Sequence, residues 1–134
     1  MKLVLDTNVL VSGLLRPAGP PGVILQQAAA GIHRVCYDDR ILEEYREVLA
    51  RPRFAFDQGD VETLLDQLEA DGIPVLCDPL ADALPDRDDE KFLEAAIAAP
   101  AEFLITGNLR HFPEDLRYGV RVIAPREFLD FPGV

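Results

Sequence analysis

Apolar positions along the chain follow two rhythms: short unbroken runs, and longer stretches in which they recur every three or four residues. The unbroken runs fall within residues 2–5, 33–37, 74–77, 103–106 and 121–124. Runs of that length, bounded by Gly, Pro or charge, predict buried strands. The recurrent stretches predict helices over 8–15, 23–30, 39 to about 50, about 58–70, about 88–99 and 125–129. Asp38 or Asp39 supplies a cap for the third of these, Gly31 and Gly72 close the second and fourth, and Pro52 and Pro100 follow the third and fifth. The punctuation Pro17-Ala18-Gly19-Pro20-Pro21-Gly22 separates the first helix from the second.

Strands that alternate with helices imply right-handed crossovers and an α/β fold: a five-stranded, mainly parallel sheet flanked by helices on both faces. No repeat, low-complexity tract or linker divides the chain, and 134 residues suffice for a core, so 1–134 is expected to be a single domain. Ligands of such sheets bind outside the carboxyl ends of the strands. That rule points to Asp6, to the turn after Thr106 and to helix starts at the same edge.

Asp6 directly follows the first apolar run. Capping the next helix would account for one acid there, but Thr7 and Asn8 add more oxygen ligands than one cap needs. On the helix around Glu44, the apolar residues Ile41, Leu42, Tyr45, Val48 and Leu49 share a face at about 100° per residue. Glu43 and Glu47 then point away from the core, whereas Glu44 lies at its boundary beside Val48. The same count over 88–99 places Asp89 above the face marked by Phe92, Leu93, Ala96 and Ala99. An unpaired carboxylate aimed at a core is costly. A helix N-terminus or a cation offsets that cost, and capping by Asp86 or Asp88 does not explain the inward aim of Asp89. Thr106 and Asn108 flank Gly107 at the fourth strand end, where a plain turn and a functional one are both consistent with the residues.

Composition then narrows the chemistry. Three acids with hydroxyl and amide oxygens are hard ligands that suit Mg²⁺ or Mn²⁺ better than zinc. His33 and His111 are too few and too far apart in sequence for a zinc site, and Ser12, the one serine, lacks a nucleophile-elbow context. Cys36 and Cys77 form no metal or disulfide pattern and are expected to be reduced core residues. No apolar run reaches the roughly 18 residues of a membrane span, and the N-terminus lacks a signal-peptide pattern, so a cytoplasmic protein is expected. The net charge is −11, with the acids concentrated over 78–94 and the arginines scattered. A basic stripe for nucleic acid is therefore absent, and any nucleic acid would be held through metal ions bridging carboxylates to phosphates.

The run Leu3-Val4-Leu5-Asp6-Thr7-Asn8-Val9-Leu10 resembles the opening of the PIN-domain family. Ile41-Leu42-Glu43-Glu44-Tyr45-Arg46-Glu47-Val48-Leu49, Asp88-Asp89-Glu90-Lys91-Phe92-Leu93-Glu94-Ala95-Ala96 and Ile105-Thr106-Gly107-Asn108 follow in that family's order. The chain is most similar to the small stand-alone branch that includes toxins of bacterial toxin–antitoxin pairs. The resemblance implies cleavage of single-stranded RNA dependent on Mg²⁺ or Mn²⁺, frequent homodimers and an antitoxin protein as partner. It assigns the metal to Asp6, Glu44 and Asp89, with Thr106 and Asn108 orienting water or substrate. Asn8 and Arg110 are candidate substrate contacts. Many members carry Asp where this chain has Asn108, which removes one negative ligand from a second metal position. Two other readings stay open. A phosphatase of the haloacid dehalogenase type also begins with strand-Asp, but wants a second Asp where this chain has Asn8. A binding module that keeps the fold without turnover would act through a protein partner.

Overall fold

A computed structural model of the chain describes residues 1–133. Its strands are β1 (Lys2–Leu5), β2 (Arg34–Tyr37), β3 (Ile73–Pro74), β4 (Phe103–Ile105) and β5 (Val122–Ile123). They form one sheet in the order β3-β2-β1-β4-β5, and every pairing is parallel. The helices are α1 (Thr7–Leu15), α2 (Pro20–Ala29), α3 (Asp39–Leu49), α4 (Gln58–Asp71), α5 (Glu90–Ala98) and α6 (Pro125–Asp130).

Leu3, Val4 and Leu5 are each 0% exposed. Side chains alternate across a strand, so three buried in succession require cover on both faces of the sheet. That is why β1 is central, with Leu3 opposite Val35 of β2 on one side and Phe103 of β4 on the other. α1 packs on α2, which also meets α4 and α6, while α5 lies against β1, β2 and β4 and touches α3. From β1 the chain builds outward through β2 and β3, then returns to place β4 on the other side of β1. The direction of winding therefore reverses between β1 and β4, and the crevice at their carboxyl ends is where such sheets take ligands.

Several boundaries differ from the sequence expectation. The third strand, expected at 74–77, is Ile73–Pro74 alone. Val75 N still donates to Tyr37 O at 2.9 Å, but β2 ends there, because Asp38 turns away to cap α3 by accepting from Ile41 N. With no ladder to follow, Leu76 is left 98% exposed. Cys77 is accordingly half-buried rather than a core residue, whereas Cys36 is buried as expected. Burial pushes both thiols up to about 11, so neither is a reactive thiolate near neutral pH. α2 begins at Pro20, earlier than expected, because prolines are tolerated in a first turn whose N–H groups have no partner. Arg87–Asp89 form a 3₁₀ turn ahead of α5, capped by Asp86 accepting from Asp88 N at 2.9 Å.

The two closing glycines act for different reasons. Gly31 takes φ +80, the left-handed region that favours glycine. Gly72 has φ −84, and its requirement is space: an added Cβ would lie 2.4 Å from Leu68 O and 2.5 Å from Val35 O.

Candidate active site

Asp6 stands at the N-cap position of α1, yet its side chain makes no cap hydrogen bond. Its backbone N–H donates to Ile105 O at 3.0 Å, which fixes the end of β1 against the end of β4. The carboxylate turns toward β4 and accepts at Oδ2 from the Thr106 hydroxyl at 2.9 Å and from the Asn8 amide at 3.3 Å. Thr106 is 0% exposed and its Oγ1 also accepts from Asn108 N at 3.0 Å. Asn8 Oδ1 accepts from Gly107 N at 3.0 Å. Thr106 and Asn8 thus tie the two strand ends together and hold Asp6 in one orientation. Burial raises the Asp6 carboxyl above its ordinary range and the charge of Glu44 adds to this, while the Thr106 hydrogen bond opposes it.

Glu44 lies at the edge of the α3 core face, with Glu43 and Glu47 exposed beside it. The fully buried Tyr45 sets the depth of this helix, since its hydroxyl donates to Leu5 O at 2.5 Å. Glu44 Oε2 accepts from the Thr7 hydroxyl, and Oε1 is 2.7 Å from Lys91 Nζ on α5.

Asp89 is 8% exposed, aimed inward. Burial, then the charge of Asp6, push its carboxyl up to about 6, against the opposing effect of His111. Its Oδ2 lies 2.9 Å from His111 Nδ1, a contact that lowers its pKa, but this buried oxygen accepts no well-aligned hydrogen bond. Asn108 reaches the far side of the same ring, with Nδ2 2.8 Å from His111 Nε2. Arg110 is exposed on the 3₁₀ turn Leu109–His111.

The fold therefore joins Asp6, Asn8 and Thr106 directly, and puts Asp6 within electrostatic reach of both Glu44 and Asp89. Among the described residues, the ligand groups drawn within 4.8 Å of one another are Asp86, Asp89 and His111. Glu44 is not in that set and is paired with Lys91. The carboxylate-rich donor set and the orphaned oxygen of Asp89 fit a divalent cation, with Asp89 as its centre and Asp6 beside it. Beyond Glu44, a cleft of about 460 Å³ is lined by Arg40, Arg87 and Lys91 as well as by acids.

The sequence sets His111 aside as a zinc ligand and gives Lys91 no role, yet both meet the acids here. His111 follows Asn108 by one 3₁₀ turn, a spacing that carries meaning only once the turn is known. Lys91 lies two residues from Asp89, a separation that hides that it faces α3.

Comparison with known proteins bears on the fold. The family model described as PIN domain matches residues 2–110. The uncharacterized protein MJ1680 of Methanocaldococcus jannaschii is 29% identical over 141 residues, covering 97% of this chain and 90% of the relative. PIN domains are typically nucleases and usually bind divalent metals. With a match that spans most of its length, an all-parallel sheet of five strands and acids gathered where β1 and β4 end, this chain belongs to the PIN-domain family.

Proposed function

We propose that this protein is an endoribonuclease that hydrolyses phosphodiester bonds of single-stranded RNA with Mg²⁺ or Mn²⁺, as the toxin of a toxin–antitoxin pair. The observation that carries the reading is Asp89: a carboxylate buried at the strand-end cleft, facing the charge of Asp6, with one oxygen lacking any hydrogen bond. His111 at 2.9 Å offsets part of the cost of that buried charge, and a divalent cation would offset the rest.

When bound, a divalent cation supplies charge neutralisation at the scissile phosphate and lowers the pKa of an attacking water. Asp6 and Asp89 would hold it. Thr106 and Asn8 keep the Asp6 carboxylate from turning into its capping position, and Thr7 steadies Glu44 at the rim. Lys91, Arg40 and Arg87 line the adjoining cleft, where the next phosphates of an extended strand would run, and Arg110 is a further exposed contact. Exposed Leu15, Ile32, Leu76 and Tyr118 offer apolar surface for an antitoxin or a second copy.

The test is cleavage of single-stranded RNA by the purified chain with and without Mn²⁺, beside Asp6→Asn. Cleavage should require the metal, and Asp6→Asn should lower it by at least about 100-fold, the upper end for groups that merely support a ligand. Metal-independent cleavage, or an Asp6→Asn variant as active as the wild type, would sink the reading.

A further inference from the structure

Position 108 and position 111 form a unit that the acidic motif does not explain. His111 presents Nδ1 to Asp89 Oδ2 at 2.9 Å without a hydrogen bond, and Asp86 brings a second carboxylate into the same 4.8 Å set. On the far side, the Asn108 amide meets Nε2 at 2.8 Å. An amide is the one side-chain group here that can turn over in place to offer either a donor or an acceptor. With N–H toward Nε2, the ring proton sits on Nδ1 and faces Asp89. With the amide oxygen there instead, Nε2–H donates to Asn108 and Nδ1 presents a lone pair to the space beside the orphaned oxygen. Histidines that bind metals adopt the second arrangement, their other ring N–H held by a fixed acceptor. A carboxylate at position 108 would offer acceptors alone and allow just one of the two states.

We propose that His111 Nδ1 is a ligand of the divalent cation held by Asp89, with Asn108 orienting the ring, so that the site favours Mn²⁺ over Mg²⁺. The inference rests on the metal-dependent reading above and adds a nitrogen to its oxygen donors. Mg²⁺ demands oxygen ligands and dehydrates reluctantly, whereas first-row transition ions accept imidazole. It also gives Asn108 a role: its amide oxygen, turned toward Nε2, accepts from the ring and leaves Nδ1 free for the cation.

The experiment is pulsed electron paramagnetic resonance of Mn²⁺ bound to the whole chain, with calorimetric titration of Mn²⁺ and Mg²⁺. The chain has two histidines. His33 is buried beside Phe128 at the amino end of β2, so an imidazole ¹⁴N coupling can arise from His111 alone. The wild type should show that coupling. His111→Gln should lose it and bind Mn²⁺ at least about 10-fold more weakly, because loss of a mere outer-shell partner already costs about 10–100-fold, while Mg²⁺ affinity moves much less. Asn108→Ala should keep the coupling but weaken Mn²⁺ binding. Mn²⁺ that binds the wild type without ¹⁴N coupling, or an unchanged Mn²⁺-to-Mg²⁺ ratio in His111→Gln, overturns the proposal and leaves the metal-dependent reading standing. A wild type that binds no Mn²⁺ overturns both.

Discussion

Asp89 carries a buried carboxylate that His111 at 2.9 Å only partly offsets. Its carboxyl is pushed from 3.8 to about 6, by burial first and the charge of Asp6 second. The folded value lies above the unfolded one, so between them the folded chain binds more protons than the unfolded chain. Metal-free stability therefore falls as pH rises from about 4 to about 6, and the loss persists above that window. Asp89→Asn removes the charge with little change of shape. Its metal-free melting midpoint should exceed that of the wild type near about pH 8 and match it near about pH 4. Mn²⁺ should then raise the wild-type midpoint by mass action and the variant's much less. A variant that melts lower than the wild type at the higher pH would return Asp89 to a structural role. The inward aim of Asp89 was legible because Phe92, Leu93, Ala96 and Ala99 mark a helical face beneath it. His111 was not legible, because an irregular turn has no period from which a direction can be read.

At the scale of elements, the site depends on how deeply α3 sits against β1. Tyr45 settles this by donating from a fully buried hydroxyl to Leu5 O, one residue before Asp6 and one residue after Glu44 in their own segments. Burial and the charges of Asp6 and Glu44 hold this phenol neutral, so the donor is permanent. Tyr45→Phe should cost about 1–3 kcal/mol, the penalty for stripping a buried carbonyl of its partner, read from denaturant midpoints at unchanged slope. Metal-dependent cleavage should fall as well, because Glu44 loses its fixed height. Full stability in Tyr45→Phe would mean that apolar packing alone sets the depth of α3. The amphipathic face of α3 was plain in the sequence and separated Glu44 from Glu43 and Glu47. The third strand was not, since its length depends on where β2 stops offering hydrogen bonds. That point is set by the Asp38 cap rather than by anything within 74–77.

The whole molecule carries −11, and that sum decides how it can meet a polyanion. Alternation of strands and helices was enough to predict the sheet and the edge that bears the site, but charge totals alone could not show where cations lie. The fold brings Arg40 of α3 beside Arg87 and Lys91 in the cleft next to Glu44, where acids still outnumber them. Each of these cations already faces an acid, so direct neutralisation of phosphates in the cleft is limited to at most about three contacts, and for single strands each contributes about −0.7 to the slope of log affinity against log salt. The expected slope for single-stranded RNA in saturating Mn²⁺, with an inactive Asp6→Asn chain avoided and a non-hydrolysable RNA used instead, is about −2. Without a divalent ion, the overall repulsion should leave binding too weak to titrate. Fluorescence anisotropy over a range of KCl concentrations measures both. A slope much steeper than this, or tight binding in the presence of a chelator, would mean that a basic surface outside the cleft recruits the RNA. In that case the carboxylates would serve cleavage but not capture, and Arg40→Ala would leave affinity unchanged.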